Sequence, residues 1–211
     1  MLKSINKIIR IFIVSDFFLN CGWGLLAPIF SIFIVQNITA GSITEGAKIA
    51  GFAALFYWIT KSILQIPIGR YLDKNHGEKD DFWFVFFGTF LTGLVPFGLL
   101  ISSLPWHIYI FQILHGIGMA MSLPSWLAIF TRHIDKGKEA FEWGMESTSI
   151  GIGAGLAGAL GGIVVTFFGF KIIFVLVGAF TIFSTLLILI VRKEMASKTS
   201  VGHIVPPSWQ F

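Results

Sequence analysis

A few polar residues interrupt an otherwise apolar sequence, and they come in pairs about one helical turn apart: Asp16 with Asn20, Lys61 with Gln65, Gln112 with His115, and Glu142 with Glu146. A carboxylate in apolar surroundings can pair with a cation or take up and release a proton, and an imidazole titrates near neutral pH. Covalent catalysis has no equivalent support. Cys21 is the single cysteine, with no histidine or metal-ligand spacing around it. The chain holds no Gly-x-Ser-x-Gly elbow, no His-Glu-x-x-His helix and no carboxylate cluster suited to membrane phosphotransfer. The expected chemistry is binding and movement of a solute or a proton, not enzymatic turnover, with no cofactor and no metal.

The elements that must position these groups are set by composition. Hydrophobic residues make up 55% of the 211-residue chain and charged residues 12%, with a mean hydropathy of +0.82. A soluble domain carries about twice that charge fraction, so the solvent is lipid. Apolar stretches long enough to span a bilayer lie near 11–36, 48–69, 82–103, 107–130, 142–168 and 171–191. They are continuously apolar, without the alternation of a membrane barrel. The expected fold is an all-α integral membrane bundle of six transmembrane helices, followed by a polar, disordered tail over 193–211. Short connections at Ser103–Trp106 and Gly169-Phe170 make neighbouring helices antiparallel.

The net charge of +4 does not point to nucleic acid, because its distribution follows the spans. Twelve of the 15 basic residues fall before the first span, in every second connection, or after the last: Lys3, Lys7, Arg10, Arg70, Lys74, Lys79, Arg132, Lys136, Lys138, Arg192, Lys193 and Lys198. Positive residues stay on the cytoplasmic side, so both termini are expected in the cytoplasm and the protein in the cell membrane. The amino-terminal apolar run is too long for a signal peptide and reads as an uncleaved span.

Depth then ranks the polar groups. Asp16 lies about 8 Å into its span and Lys61 roughly 13 Å from the end of its own, at 1.5 Å per residue. A charge there costs on the order of 2.5–3.5 kcal/mol. The two can form a polar stripe with Asn20 and Gln65, as a coupling or substrate site in which Asp16 titrates or as a structural ion pair. Alternatively Asp16 sits at the interface and Lys61 snorkels. Gln112 and His115 can contact substrate, relay protons, or hydrogen-bond between helices. Glu146 is a second candidate coupling acid, with Arg132 or Lys138 as its expected partner. Trp83, Trp106 and Trp143 fall at span ends, while Trp23, Trp58 and Trp126 lie deeper, as packing residues or as the lining of a cavity for an aromatic or lipophilic substrate. Gly151, Gly153, Gly155, Gly158, Gly161 and Gly162 crowd the fifth span. The pairs Gly151/Gly155 and Gly158/Gly162 have the spacing of a helix-packing face, which is either plain packing or a contact that rearranges during gating.

The connection between the second and third spans, Gly69-Arg70-Tyr71-Leu72-Asp73-Lys74-Asn75-His76-Gly77-Glu78-Lys79, resembles the cytoplasmic signature of the major facilitator superfamily, with Gly69, Asp73, Lys74, Gly77 and Lys79 in the signature roles. His76 lengthens the turn by one residue, and Glu78 stands where a basic residue is usual. Gln112 to Gly116 is similar to the family's Arg-x-x-Gln-Gly pattern, with Gln112 replacing the arginine and His115 the glutamine. The glycine-rich fifth span resembles that of antiporter branches, with Gly158 at the usual proline.

The resemblance covers roughly residues 10–192 and implies the amino-terminal half of a twelve-span protein built from two six-helix halves. It implies secondary active transport of a small solute by alternating access, with possible proton coupling and with the 69–79 loop as a latch. The partners it implies are the lipid bilayer, a small-molecule substrate, protons, and a second six-helix half. The chain reads as a fragment of a longer gene, one half of a split pair, or a homodimeric half-transporter, and the tail after Arg192 favours a partial transporter over an obligate dimer. The alternative is a six-helix binding or scaffold subunit of a larger transport complex.

Overall fold

An apolar solvent offers backbone amides and carbonyls no partners, so a continuously apolar chain satisfies them internally as helix. The computed structural model, which describes residues 5–75 and 78–199, is helical with no strand among the described residues. The elements are α1 (Lys7–Leu26), α2 (Phe30–Phe33), a π-helical turn (Ile34–Ile38), α3 (Ile43–Asn75), α4 (Glu78–Leu100), α5 (Pro105–His133) and α6 (Glu139–Thr199). The first span, expected over 11–36, is broken after Leu26. Pro28 supplies no N–H and its ring crowds the carbonyl four residues earlier, so α1 stops at Leu26 and the chain resumes as α2 and the π turn. Helix α6 continues to Thr199, inside the stretch expected as a tail; Ser200–Phe211 lie outside the described residues.

Helix α6 is two arms joined at Gly169, whose φ of 75° and ψ of 175° interrupt the helix. Contacts with α1 fix how the arms run. Along α1, Phe17 meets Gly153, Gly24 meets Ala154 and Ala157, and Leu25 meets Gly161, so the first arm (139–168) runs parallel to α1. Ser15 meets Ser184 while Gly22 meets Val177 and Phe180, so the second arm (170–199) runs antiparallel. The arms therefore form a hairpin around α1. Helix α5 in turn packs between α3 and α4, and α4 closes against α6.

Small residues set the spacing. A Cβ added to Gly24 would lie 2.8 Å from the Cα and carbonyl oxygen of Ala154, and one added to Gly161 would collide with the Leu25 carbonyl. Gly153 and Gly158 face α1 as well, whereas a Cβ on Gly151, Gly155 or Gly162 meets nothing within 4 Å among the described residues. The packing face is thus Gly153–Ala154–Ala157–Gly158–Gly161 rather than the expected Gly151/Gly155 and Gly158/Gly162 pairs. Both patterns have helical spacing, but they lie on different faces. On α5, Gly116 abuts the backbone of α3 at Tyr57 and Lys61, and Gly118 abuts α4 at Gly88 and Thr92.

The interior has an apolar cluster at each end and a polar waist between them. One cluster gathers residues such as Leu25, Phe33, Leu99, Ile108, Phe174 and Val177. The other gathers Ile8, Phe12, Phe82, Ile129, Phe130 and Ile188. Between them Ser15 bonds Ser184 at 2.8 Å and Thr89 bonds Ser122 at 2.8 Å. Thr181 and Thr185 satisfy themselves on carbonyls one turn back. Asp16 and Glu146 belong to this waist.

Overpacking a tight helix contact costs about 1–3 kcal/mol. Gly161→Leu is therefore expected to lower the melting temperature in detergent clearly and Gly155→Leu little. Equal effects of the two would contradict the packing face described.

Candidate functional site

The close approach of α1 and the first arm of α6 brings two acids together. Asp16, half-buried on α1, and Glu146, 2% exposed on α6, lie with their carboxyl groups within hydrogen-bonding reach of one another. Neither Glu146 oxygen finds a donor elsewhere among the described residues. A carboxylate only accepts, so a bond between the two groups exists only when one of them carries a proton. With both ionised, the pair is a repulsive double charge held out of water. Asn20 is engaged locally, donating from Nδ2 to the Asp16 carbonyl at 2.9 Å. An open cleft of about 720 Å³ runs beside the acids between α1 and α6, walled by Ile13, Phe17, Phe141, Met145 and Ile152 among others, and neither acid lines it.

The structure does not pair Asp16 with Lys61. Helix α3 has its packing partner in α5, and the Lys61 ammonium sits 4.9 Å from the ring centre of Trp58 and 5.8 Å from that of Tyr57. Both rings precede Lys61 on α3, so its side chain leans back along the helix, as helical side chains do, instead of snorkelling to the helix end. Gln65 lies one turn further on, half-buried.

Facing Lys61 across the α3–α5 contact is His115. Its ring stacks on Trp23 of α1 at 3.9 Å and 13° and lies 4.6 Å from Tyr57. Gln112 is buried one turn away on α5. Three helices thus build an aromatic cluster around His115 that the sequence reading divided among separate roles. Trp126, by contrast, is packing: it stacks on Phe130 at 4.6 Å and meets Phe12 edge-on.

One end of the bundle collects the charges. Arg132 at the end of α5 pairs with Asp81, which is fully buried in the first turn of α4. Glu78 lies 3.5 Å from His133, and Asn6 donates to the His133 carbonyl at 3.1 Å. Lys138 pairs with Asp135 at 3.0 Å. The expected partners of Glu146 are therefore engaged elsewhere, and its neighbour is another acid. The Asp81–Arg132 bridge went unread, although antiparallel neighbours must set the start of α4 beside the end of α5. Asp73 and Lys74 are exposed at the end of α3, without a hydrogen bond or ion pair among the described residues. A Cβ added to Gly69 would meet nothing within 4 Å among the described residues. Lys79 is exposed in the first turn of α4, and Gly77 lies outside the described residues.

The sequence pattern of the Major Facilitator Superfamily matches residues 12–207. The chain belongs to this family. Among curated proteins it is similar to the multi-drug resistance efflux pump PmrA of Streptococcus pneumoniae, 26% identical over 203 residues, covering 96% of this chain and 49% of the relative. It is also similar to the uncharacterized MFS-type transporter MJ1560 of Methanocaldococcus jannaschii, 25% identical over 175 residues, covering 83% of this chain and 43% of the relative. The chain spans about half the length of the curated relatives it matches. Within this major facilitator chain the match extends through the end of α6 and past the described residues.

Breaking a largely buried ion pair exposes the partner's desolvation cost, moderated here because the Arg132 side chain is 37% exposed. A double-mutant cycle of Asp81→Asn and Arg132→Gln, read by unfolding in detergent, is expected to give a coupling of about 1–2 kcal/mol. Additive single effects would contradict the bridge.

Proposed function

We propose that this chain forms a six-span half of a secondary active transporter that moves a small organic solute across the cell membrane by alternating access, with the Asp16–Glu146 pair as its proton site. The observation that carries the proposal is the contact of the two acids at the polar waist, where protonation switches them between repulsion and a shared hydrogen bond. That gives a proton a direct hold on the spacing of α1 and the first arm of α6, which are otherwise in backbone contact. The family supports transport, and the similarity to a pneumococcal multi-drug resistance efflux pump supports a drug-like solute.

The second half is a separate chain or a second copy. Its support is α3, whose most apolar stretch is 17% buried against 44% for the other long helices. The first arm of α6 likewise leaves Ile152, Leu156, Leu160 and Ile163 outward. The gathering of basic residues at one end of the bundle supports placing that end, and both termini, in the cytoplasm. The loop between α3 and α4 then serves as a cytoplasmic latch, with Asp73 and Lys74 free to engage the other half.

In proteoliposomes with an imposed proton gradient, the protein is expected to drive flux of radiolabelled 2-naphthalenesulfonate or tetraphenylphosphonium. Asp16→Asn should fold yet lose driven flux by about tenfold or more. Full driven transport by Asp16→Asn at all pH values would contradict the assignment.

A further inference from the structure

Lys61 is 9% exposed, mid-helix in an apolar span, and no carboxylate reaches it among the described residues. An ammonium in that position is stabilised by a compensating anion, and the described residues give it only aromatic faces. Its immediate neighbours are the ring faces of Tyr57 and Trp58 and the imidazole of His115. Against the same imidazole stacks Trp23, whose buried Nε1 finds no acceptor among the described residues, and His115 Nδ1 is likewise without a partner. An indole N–H and an ammonium are donors only. What is missing is therefore an acceptor bearing negative charge, presented among flat aromatic faces. Tyr57, His115 and Trp23 are each half-buried. Gly116, next to His115, allows α5 into contact with the α3 backbone at Tyr57 and Lys61.

We propose that Trp23, Tyr57, Lys61 and His115 form a subsite for an aromatic anion, a planar ring carrying a carboxylate or sulfonate. The ring lies among the aromatic side chains and its acid group accepts from Lys61 and Trp23. The subsite rests on the transport reading and specifies its substrate class. It is separate from the acid pair: the acids hold the proton between α1 and α6, and Lys61 holds the solute between α3 and α5.

The test is equilibrium binding of radiolabelled 2-naphthalenesulfonate to the full chain in nanodiscs, against empty nanodiscs, with 2-naphthylmethylammonium and acetate as competitors. The sulfonate is expected to bind, the aromatic cation and acetate to compete at least about tenfold less well, and Lys61→Met to weaken binding by about tenfold or more. Lys61→Arg, which keeps the charge, is expected to retain binding, and Trp23→Phe, which keeps the ring but removes the donor, to weaken it. Equal binding by Lys61→Met, or a cation that competes as well as the sulfonate, would overturn the proposal. So would a wild-type chain that does not bind the sulfonate, since Lys61 would then take its counter-charge from another protein segment. Binding needs no proton gradient. Anion-selective binding without driven flux would count against the transport reading alone, and driven flux without anion preference against the subsite alone.

Discussion

Backbone contact between α1 and the first arm of α6 is the constraint on which the rest depends. Gly24, Gly153, Gly158 and Gly161 let the two helices approach until side chains larger than methyl no longer fit between them. In lipid, association is driven by such packing and by polar contacts, because burying apolar surface gains little where the solvent is itself apolar. The same approach brings Asp16 and Glu146 together, and it sets the second arm of α6 where Ser184 can bond Ser15.

The polar waist shows how the two apolar clusters are kept in register. Hydroxyl pairs such as Ser15–Ser184 and Thr89–Ser122 satisfy one another across helix contacts, and the threonines of α6 fold back on their own helix. Interhelical bonds of this kind are worth about 0.6 kcal/mol each in membranes, enough to select a register but not to prevent its change. Among the described residues the buried polar atoms left without a partner include both oxygens of Glu146 and the ring nitrogens His115 Nδ1 and Trp23 Nε1, beside others at Asp81, Thr92, Trp126 and Glu142. Unsatisfied polar groups in hydrocarbon are costly.

Much of the fold was legible because membrane helices declare themselves by length and apolarity, and the Gly69–Lys79 stretch carried the family. What sequence does not show is azimuth. Counting residues set Asp16 and Lys61 within a few ångströms of depth of one another, but depth alone cannot say that one faces α6 and the other α5. The glycines of α6 present the same difficulty, since Gly151/Gly155 and Gly153/Ala157/Gly161 share a period and differ only in direction. The break after Leu26 was foreshadowed by Pro28, whose effect depends on whether a neighbour stabilises the kink. The aromatic cluster was hidden by sequence distance: Trp23, Tyr57 and His115 meet only when α1, α3 and α5 are assembled.

The central claim is that Asp16 and Glu146 share one proton across the α1–α6 contact. Infrared spectroscopy of the protein in lipid at neutral pH reads this directly through the carbonyl stretch of a protonated carboxylic acid. The account predicts a protonated-carboxyl band that is lost or displaced in both Asp16→Asn and Glu146→Gln, because either variant offers an amide donor in place of the shared proton. The absence of such a band, or one that neither substitution alters, would contradict it.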